Sequence, residues 1–332
     1  MSSSFDIIIY QQLLLNWFTK NGRHDLPWQG DFNPYHVWLS EVMLQQTQVK
    51  TVIPYFSKFI KAFPKVSDLA RVEQDEVMQY WAGLGYYARA RNLHKAAKII
   101  CVKYAGSLPD NVNDLRLLPG VGQSTANAIL SIAFNKPTPI LDGNVKRVFS
   151  RLFVINEILA QPKIEKSLWQ LAVKLMPKKN TQAYTQAQMD LGATVCIRTK
   201  PKCNICPLQN ICLSFLCSTV EKYPLKKPKV IKKIKSAVFY LYQYQDELLL
   251  IRKPNKGIWG GLYVLPENNL NFGNYSHMLC EGQKHVFTHF VLYYDIKVFQ
   301  VESKLAFENV HWVAFKNIVQ YALPSLFSKH LL

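Results

Sequence analysis

The chain has 332 residues, enough to bury one large hydrophobic core or two smaller ones. Its 40 lysines and arginines outnumber 22 acidic residues, and the formal charge of +18 exceeds what solubility requires and indicates a polyanionic partner. Short apolar segments interrupted by charges argue against a membrane-spanning helix, and no signal peptide is recognisable, so we expect a soluble cytosolic protein that binds nucleic acid.

The first two thirds of the chain follow a helical pattern, with apolar residues at three- and four-residue spacing. This pattern predicts a mainly α domain over residues 1–221. The predicted helices span residues 5–19, 34–49, 51–62, 74–81, 88–104, 123–134, 143–154, 163–176 and 182–195.

A glycine-bounded turn joins two of these helices within residues 117–126. Gly120 and Gly122 allow a DNA backbone to come close, and the free amides that start the next helix present the positive end of its dipole to a phosphate. An ordinary corner between two helices uses the same residue types. The charge of the chain favours the phosphate site.

Four cysteines stand close together at Cys196, Cys203, Cys206 and Cys212, with six, two and five residues between them. Zinc ribbons pair two short-spaced knuckles across a longer gap, whereas four thiolates in one short loop suit a cubic iron-sulfur cluster. Disulfide scaffolds belong to small secreted chains. We therefore expect one 4Fe-4S cluster in the loop 196–212, with zinc as the alternative.

Residues 222–235 contain seven lysines and no acidic residue, and we predict a basic linker there. This linker is either a solvated tether or a direct contact to phosphates. Beyond it the apolar period changes to two, which predicts a strand through Val238, Tyr240 and Tyr242, a turn at 245–247 and strands at 248–251, 286–300 and 311–315. Residues 236–332 should form a small α+β domain.

Several motifs that follow one another in the chain carry a family resemblance. The hairpin, Asp142 and the cysteine loop together resemble the helix-hairpin-helix DNA glycosylases related to endonuclease III. Residues 40–48, 83–89 and 141–147 are similar to the adenine DNA glycosylase (MutY type) branch of that family. The resemblance covers nearly the whole chain. It implies base excision repair of double-stranded DNA, with hydrolytic removal of adenine opposite 8-oxoguanine or guanine.

Glu41 is the candidate general acid. Asn33 and Pro34 can cap and start its helix, and apolar residues lie three and four positions from Glu41 on the same helical face. Partial burial should raise the pKa of the carboxyl, which suits an acid that carries a proton at neutral pH. A carboxylate that is satisfied by amides or a cation is the alternative. The resemblance implies that Glu41 protonates adenine N7 and then assists the attacking water.

Asp142 precedes a helix, where aspartate commonly caps the first turn. An ionised carboxylate at this position can also stabilise positive charge that develops at C1′ of the deoxyribose. The two roles are compatible. A protonated Glu41 and an ionised Asp142 would divide the work as the two carboxyl groups of a glycoside hydrolase do, with one as the acid and one as the stabilising anion. By resemblance, Asn144 orients this site.

Ser124 separates two enzyme types that share this scaffold. In relatives of endonuclease III a lysine at this point attacks C1′ and forms a Schiff base, which a serine hydroxyl cannot do. The resemblance therefore implies a monofunctional glycosylase.

Chemistry at an adenine in duplex DNA requires that the base be flipped out of the stack. By resemblance, Leu26, Trp28 and Gln186 shape and recognise the adenine pocket, while Gln46 and Tyr86 enter the stack near the opposite base. Simple core packing is an equal explanation for Leu26 and Trp28.

The C-terminal domain is similar to Nudix hydrolases through residues 252–262, but the glutamate-rich box that binds magnesium in those enzymes is absent from residues 267–284. The resemblance implies a recognition domain that senses 8-oxoguanine through a Phe-Ser-His loop. This chain has Phe287, Thr288 and His289 there, and the threonine keeps the hydroxyl. These three residues could instead simply begin a strand.

The sequence leaves three functions open. Adenine excision is the leading one; a bifunctional glycosylase and AP lyase of the endonuclease III type conflicts with Ser124; and a non-enzymatic repair scaffold would have no reason to keep Glu41. We expect a monomeric, cytoplasmic, bacterial protein that joins the nucleoid when bound to DNA. The cluster should make its loop rigid and present Arg198, Lys200 and Lys202 to phosphates.

Overall fold

A computed structural model describes residues 5–226 and 231–332. The chain divides into two compact units, Met1–Ser67 with Lys95–Pro228 and Asp68–His94 with Lys229–Leu332. The second unit thus combines a segment from the helical part with the C-terminal part. A packing unit need not coincide with a boundary along the sequence, so the domain limits 1–221, 222–235 and 236–332 stay a prediction.

Every helix predicted from the sequence is present in the structure, and the fold is mainly α with a smaller α+β part, as predicted. Helix α11 continues into one π-helical turn, Leu191–Val195. Within residues 5–226 the α-helices are α1 (Ile7–Asn21), α2 (Pro34–Leu44), α3 (Val49–Ala62), α4 (Val66–Arg71), α5 (Gln74–Trp81), α6 (Ala88–Lys103), α7 (Val112–Leu117), α8 (Gln123–Phe134), α9 (Gly143–Leu152), α10 (Pro162–Leu175), α11 (Thr181–Asp190) and α12 (Leu213–Leu216).

Side-chain caps start several of these helices. Asp6 accepts hydrogen bonds from the amides of Ile8 and Ile9 at 2.9 and 3.0 Å, and Asn33 accepts one from Tyr35 at 2.9 Å. Each cap satisfies amides that have no partner within the helix. The predicted cap by Asn33 is therefore confirmed, and it fixes where the helix that carries Glu41 begins.

Two features of the helices differ from the sequence prediction. Helix α2 ends at Leu44 and not at residue 49, because Gln46 adopts a left-handed backbone conformation with φ of 58° that a helix cannot contain. Helices α4, α7 and α12 were not predicted. They have six, six and four residues, which is too short for a periodic apolar pattern to be recognised.

Helix α8 packs against α2, α7 and α11 in the first unit, and α1 packs against α11. Polar groups also join α8 to α11 inside this core. Ser131 Oγ lies 2.7 Å from Thr185 Oγ1 and donates to the Thr181 carbonyl at 3.1 Å, and all three residues are buried. Buried hydroxyls are stable when they are paired in this way, and the pairing fixes the relative position of two helices that border the cavity described below.

The second unit contains a six-stranded mixed sheet in the order β3-β2-β1-β5-β4, with β6 also paired to β2. Strands β1 and β5 are parallel, and the other pairs are antiparallel. One α-helix follows the sheet, α13 (Ser325–Leu331). The strands are β1 (Lys233–Tyr244), β2 (Glu247–Arg252), β3 (Tyr263–Val264), β4 (Asn274–Val286), β5 (Phe290–Gln300) and β6 (Val310–Ala314).

The strand predictions hold for β1, β2 and β6, but the single strand predicted over 286–300 is wrong. It is the end of β4 and all of β5, joined by a tight connection at 287–289. Strand β4 escaped prediction because most of its residues are exposed and polar, and register shifts interrupt its pairing.

The last three residues of the predicted linker 222–235 are part of a strand. Residues 233–235 belong to β1, where Lys233 pairs with Phe290 and Lys235 Nζ lies 4.8 Å from the Phe290 ring centroid. The lysines made this segment resemble a linker in the sequence, but backbone pairing and a cation–π contact stabilise it as a strand. Residues 227–230 of the linker lie outside the described residues.

The segment 68–94 is fastened to the sheet by polar contacts within the second unit. Tyr263 donates its hydroxyl to Asp75 Oδ2 at 3.1 Å, Arg252 pairs with Asp75 Oδ1, and Gln74 Nε2 donates to Asn255 Oδ1 at 2.9 Å. Burial and the nearby Asp75 carboxylate raise the pKa of Tyr263 to about 12, so the phenol stays a donor.

Candidate active site

One open cavity of about 1060 Å³ lies in the first unit. Its wall is formed by α2, the starts of α8 and α9, and α11 with its π-helical turn. The arrangement gathers most of the residues singled out from the sequence at one place. The predicted site residues in its wall are Leu26, Trp28, Glu41, Gln46, Ser124, Asp142, Asn144 and Gln186.

Glu41 lies in the last turn of α2 and lines this cavity. The residues one turn earlier, Val37 and Trp38, are 2% and 0% exposed, so the carboxyl stands against an apolar surface. Removal from water, together with the nearby Asp142 carboxylate, raises the pKa of Glu41 to about 7. A carboxyl in this state can both give and take a proton at neutral pH.

Asp142 caps helix α9, as predicted. Its Oδ1 accepts a hydrogen bond from the Val145 amide at 2.8 Å, and its Oδ2 accepts one from Asn144 Nδ2 at 3.0 Å. Burial raises the pKa of Asp142, whereas these hydrogen bonds and the charge of Arg147 act in the opposite direction. The protein thus supplies three groups that favour the anion.

Arg147 connects this carboxylate to the cysteine loop. Its Nη2 donates to Asn144 Oδ1 at 2.8 Å and to the Gly192 carbonyl at 2.7 Å, and its Nε donates to the Cys196 carbonyl at 2.8 Å. Burial lowers the pKa of Arg147, but a guanidinium keeps its charge. Sequence reasoning gave this residue no role, although it ends the motif 141–147.

Close packing holds the same region together. A Cβ added at Gly192 would lie 2.6 Å from Asn144 Cβ, which real structures do not allow. The π-helical turn of Leu191–Val195 therefore brings its glycine directly against the residue that supports Asp142.

The glycine-bounded turn and the site share two hydrogen bonds. Ser124 Oγ accepts the Leu141 amide at 3.1 Å, which fixes the residue before Asp142. Gln45 Nε2 donates to the Gly120 carbonyl at 3.3 Å. Gly120 has φ of 81°, as a tight turn requires, and Gly122 caps α8 with nothing near its position for a Cβ. The predicted turn between two helices is confirmed.

Leu26 and Trp28 pack in the core and also border the cavity. They are 7% and 5% exposed, and the Trp28 ring packs edge-on against Phe56 with centroids 5.3 Å apart. Both also line the cavity. They are core residues whose remaining exposed atoms form an apolar patch in the cavity wall.

The predicted residues Tyr86, Phe287, Thr288 and His289 lie in the second unit. Tyr86 is 48% exposed with φ of 50°, and the Arg89 guanidinium carbon lies 5.3 Å from its ring centroid. Phe287, Thr288 and His289 form the tip between β4 and β5, so the alternative that they begin a strand is wrong. The Phe287 ring stacks on Phe290 with centroids 4.4 Å apart, while Thr288 and His289 are exposed.

The four cysteines line a separate, small cavity of about 30 Å³ within the first unit. Arg151, 2% exposed, donates from Nη1 to Cys196 Sγ at 3.3 Å and to the Ile197 carbonyl at 2.8 Å. Burial raises the pKa of Cys206 to about 12, and the neighbouring thiols add to this effect.

The positions of the four cysteines and of Arg151 fit a thiolate cluster. Four sulfurs face one space with apolar walls, and a buried cation stands beside them to offset negative charge. In residues 5–226 and 231–332, no group of three or more His, Cys, Asp or Glu side chains is arranged to hold a single metal ion. The four cysteines of the loop therefore share one cavity and do not form a site for a single ion. Arg198, Lys200 and Lys202 of this loop are exposed.

None of the helices in the described part of the chain is long and apolar enough to cross a bilayer.

Comparisons with known proteins agree with this arrangement. Residues 39–174 match the family model described as HhH-GPD superfamily base excision DNA repair protein, and residues 237–332 match the NUDIX domain model. The chain is 41% identical over 333 residues to an adenine DNA glycosylase of Buchnera aphidicola subsp. Acyrthosiphon pisum (strain APS), and the match covers 95% of each chain.

Two further comparisons each cover somewhat less than two thirds of the chain. An adenine DNA glycosylase of Mus musculus is 42% identical over 219 residues, which cover 63% of this chain and 42% of that one. The solved structure of a thermostable thymine-DNA glycosylase, 27% identical, has a TM-score of 0.59 over 64% of this chain and 97% of the other.

Proposed function

Because this chain belongs to the adenine DNA glycosylases of the HhH-GPD superfamily, base excision repair enzymes that hydrolyse N-glycosyl bonds, we propose that its substrate is adenine opposite 8-oxoguanine or guanine in duplex DNA. We further propose that it is monofunctional and leaves an abasic site. The observation that carries this proposal is the position of Glu41 and Asp142 in the wall of one cavity.

Glu41 acts as the general acid and then as the general base. With a pKa of about 7, a large share of the molecules carry the proton at neutral pH. The carboxyl gives this proton to N7 of the flipped adenine, and the bond between C1′ and N9 breaks with its electron pair on the base. The Glu41 carboxylate then accepts a proton from the water that attacks C1′, which restores the starting state.

Asp142 stabilises the positive charge on the sugar between these two steps. Its hydrogen bonds from Val145 and Asn144 and the charge of Arg147 favour the anion that this role requires. A carboxylate that is held in place by hydrogen bonds stabilises a cation more than mobile solvent does.

Ser124 supports a monofunctional reaction. Its oxygen is occupied by the Leu141 amide, and a hydroxyl cannot form an imine with C1′. The alternative, a bifunctional glycosylase and lyase, predicts a covalent protein–DNA adduct after borohydride reduction. Strong borohydride trapping by the wild-type protein would support the lyase and contradict the monofunctional proposal.

Several surfaces bind the DNA in this proposal. The turn at Gly120 and Gly122 and the exposed Arg198, Lys200 and Lys202 contact phosphates, since free amides and cations suit that backbone. Gln46 and Tyr86, both exposed and with left-handed backbone conformations, enter the base stack. Leu26, Trp28 and Gln186 hold the flipped adenine.

The second unit recognises the opposite base and is not a second hydrolase. Thr288 offers an exposed hydroxyl at the tip between β4 and β5, and the stacked Phe287 holds that tip. Cys196, Cys203, Cys206 and Cys212 hold a 4Fe-4S cluster that ties the loop together and takes no part in the reaction. The protein acts as a cytoplasmic, nucleoid-associated monomer in a bacterium.

A single-turnover assay tests this function. The duplex carries adenine opposite 8-oxoguanine or guanine, and the wild type is compared with Glu41→Gln. We expect the wild type to release adenine and the variant to be slower by about 100-fold or more, the usual scale of general acid catalysis.

Glu165→Gln is the matched control, because Glu165 pairs with Lys146 at 2.7 Å and is not among the cavity residues. It should retain the wild-type rate. No release by the wild type contradicts the proposed function and supports a binding scaffold, whereas equal rates for wild type and Glu41→Gln contradict the role of Glu41.

A further inference from the structure

Gln186 and Asp190 lie one turn apart on α11 and differ in their surroundings. Gln186 is 9% exposed and lines the cavity, whereas Asp190 is 0% exposed and is not among the lining residues. Gln186 Nε2 donates to Asp190 Oδ1 at 3.0 Å. A buried carboxylate therefore holds one end of an amide whose other end is available to the cavity.

Arg23 fixes Asp190 by donating hydrogen bonds to both of its carboxylate oxygens. The Arg23 backbone amide donates to Asp190 Oδ2 at 2.7 Å, and its Nε and Nη2 donate to Oδ1 at 3.0 and 2.5 Å. A fully buried carboxylate is stable only with such pairing and hydrogen bonding. Both Asp190 oxygens are therefore acceptors, and a group that approaches them must donate a hydrogen bond.

This restriction determines how the Gln186 amide is oriented. A glutamine amide has one donor end and one acceptor end, and the reverse orientation would place Oε1 against a carboxylate oxygen. The nitrogen must therefore face Asp190. Among residues 5–226 and 231–332, no protein group donates to Gln186 Oε1. The carbonyl oxygen is left as the polar end that a ligand in the cavity can meet.

We propose that Asp190, held by Arg23, is a positioning residue that fixes Gln186 with its carbonyl Oε1 available to the base, so that the cavity selects a purine with a 6-amino group over one with a 6-oxo group. This inference rests on the proposed function. Adenine offers a donor at position 6 and guanine or hypoxanthine offers an acceptor, so a fixed acceptor attracts the first and repels the second.

Asp190→Asn tests the inference with little change in shape. An asparagine at position 190 can present either its oxygen or its nitrogen to Gln186, so the Gln186 amide is no longer held in one orientation. The assay measures single-turnover release of adenine, hypoxanthine and unsubstituted purine from duplexes with the same opposite base. We expect the ratio of the adenine rate to the hypoxanthine rate to fall by about tenfold or more, with little change for purine.

Gln188→Leu is the matched control. Gln188 is 5% exposed on the same helix, but its Nε2 donates to the hydroxyls of Tyr184 and Tyr10 at 3.0 and 3.3 Å and does not line the cavity. Loss of its hydrogen bonds should lower thermal stability without changing the rate ratios. A merely structural role for Asp190 predicts that Asp190→Asn behaves in the same way.

The outcomes separate the two proposals. Equal losses for all three bases, or an unchanged adenine to hypoxanthine ratio, overturn the role of Asp190 while adenine release by the wild type still supports the proposed function. Should Asp190→Asn fail to fold, Gln186→Leu replaces it. Its ratio of adenine to unsubstituted purine should fall by about tenfold, and an unchanged ratio overturns the inference. Absence of adenine release by the wild type instead contradicts the proposed function.

Discussion

The Asn144 side chain donates a hydrogen bond from Nδ2 to Asp142 Oδ2 at 3.0 Å. The other end of this amide accepts a hydrogen bond from Arg147 Nη2 at 2.8 Å. Because a guanidinium only donates, the amide can take one orientation, and its nitrogen always faces the carboxylate. The Asp142 carboxylate thus always has the Asn144 amide nitrogen as a hydrogen-bond donor.

Asn144→Leu should slow base excision by about tenfold or more, because the Asp142 anion loses one of the donors that favour it. The rate under single-turnover conditions measures this effect. Asn21→Leu is a suitable control, since the Asn21 amide donates to the Trp17 carbonyl of its own helix at 3.2 Å. A wild-type rate in Asn144→Leu would contradict the supporting role of Asn144.

The excision rate should fall as pH rises through about 7, because the pKa of Glu41 is raised to about 7 and the reaction needs its protonated form. Protonation of Asp142 should also reduce the rate at low pH. Single-turnover rates measured from acidic to alkaline pH test both the decline at high pH and the decline at low pH. Glu41→Gln should lose the decline at high pH, and a variant that keeps it would assign the titration to another group.

The same carboxyl makes stability depend on pH. Its pKa is raised from 4.5 to about 7 in the folded protein, so between these values the unfolded chain binds fewer protons than the folded one. Stability should therefore fall as pH rises from about 4.5 to 7. Thermal unfolding should show Glu41→Gln gaining stability relative to wild type above pH 7. No difference between pH 5 and 8 would contradict the raised pKa.

Ser124→Ala should lower the free energy of unfolding by about 1 kcal/mol or more, because the Leu141 amide loses its acceptor. The residue next to Leu141 is Asp142, so excision should also slow. Chemical denaturation and single-turnover assays measure the two effects. Ser167→Ala removes a hydroxyl that donates to Lys163 in its own helix, and it should change neither quantity appreciably.

Cys206→Ser should abolish the absorption at about 400 nm that an iron-sulfur cluster gives. It should also lower the melting temperature and the affinity for DNA. The reason is that Cys206 shares its cavity with the three other cysteines. Cys217 is exposed and lies outside that cavity, so Cys217→Ser should keep all three properties. A stable, colourless wild type with full activity would contradict the cluster.

Thr288→Val should reduce the preference for adenine opposite 8-oxoguanine over adenine opposite guanine. It removes the exposed hydroxyl at the tip between β4 and β5 and keeps the shape of the side chain. The ratio of excision rates on the two duplexes measures this preference. Thr51→Val, on the exposed face of α3, is the control. An unchanged ratio in Thr288→Val would show that other groups make the distinction.

Local sequence patterns were sufficient to predict many of the helices, their caps and several candidate site residues. Apolar periodicity predicted the long helices, and the caps by Asn33 and Asp142 follow from residue chemistry alone. The glycines of the turn at residues 118–122 and the four-cysteine spacing were recognisable for the same reason. Each is a short-range signal, in which the residues that cooperate are close in the sequence.

Only the tertiary structure decided which distant residues meet. Glu41 and Asp142 come to one cavity because α2 and α8 pack together and Ser124 ties the residue before Asp142 to the start of α8. Strand β4 stayed hidden because its polar, bulged sequence is paired through its backbone, which no side-chain pattern records.

The partly buried arginines show the same division. Arg23 with Asp190 and Arg147 with the Cys196 carbonyl join residues that are far apart in the chain. A charged side chain in a sequence is most often solvated, so its pattern gives no sign of burial. Packing removes these groups partly or wholly from water and makes their pairing necessary. The sequence alone therefore supplied the reacting groups, and the fold supplied their orientation.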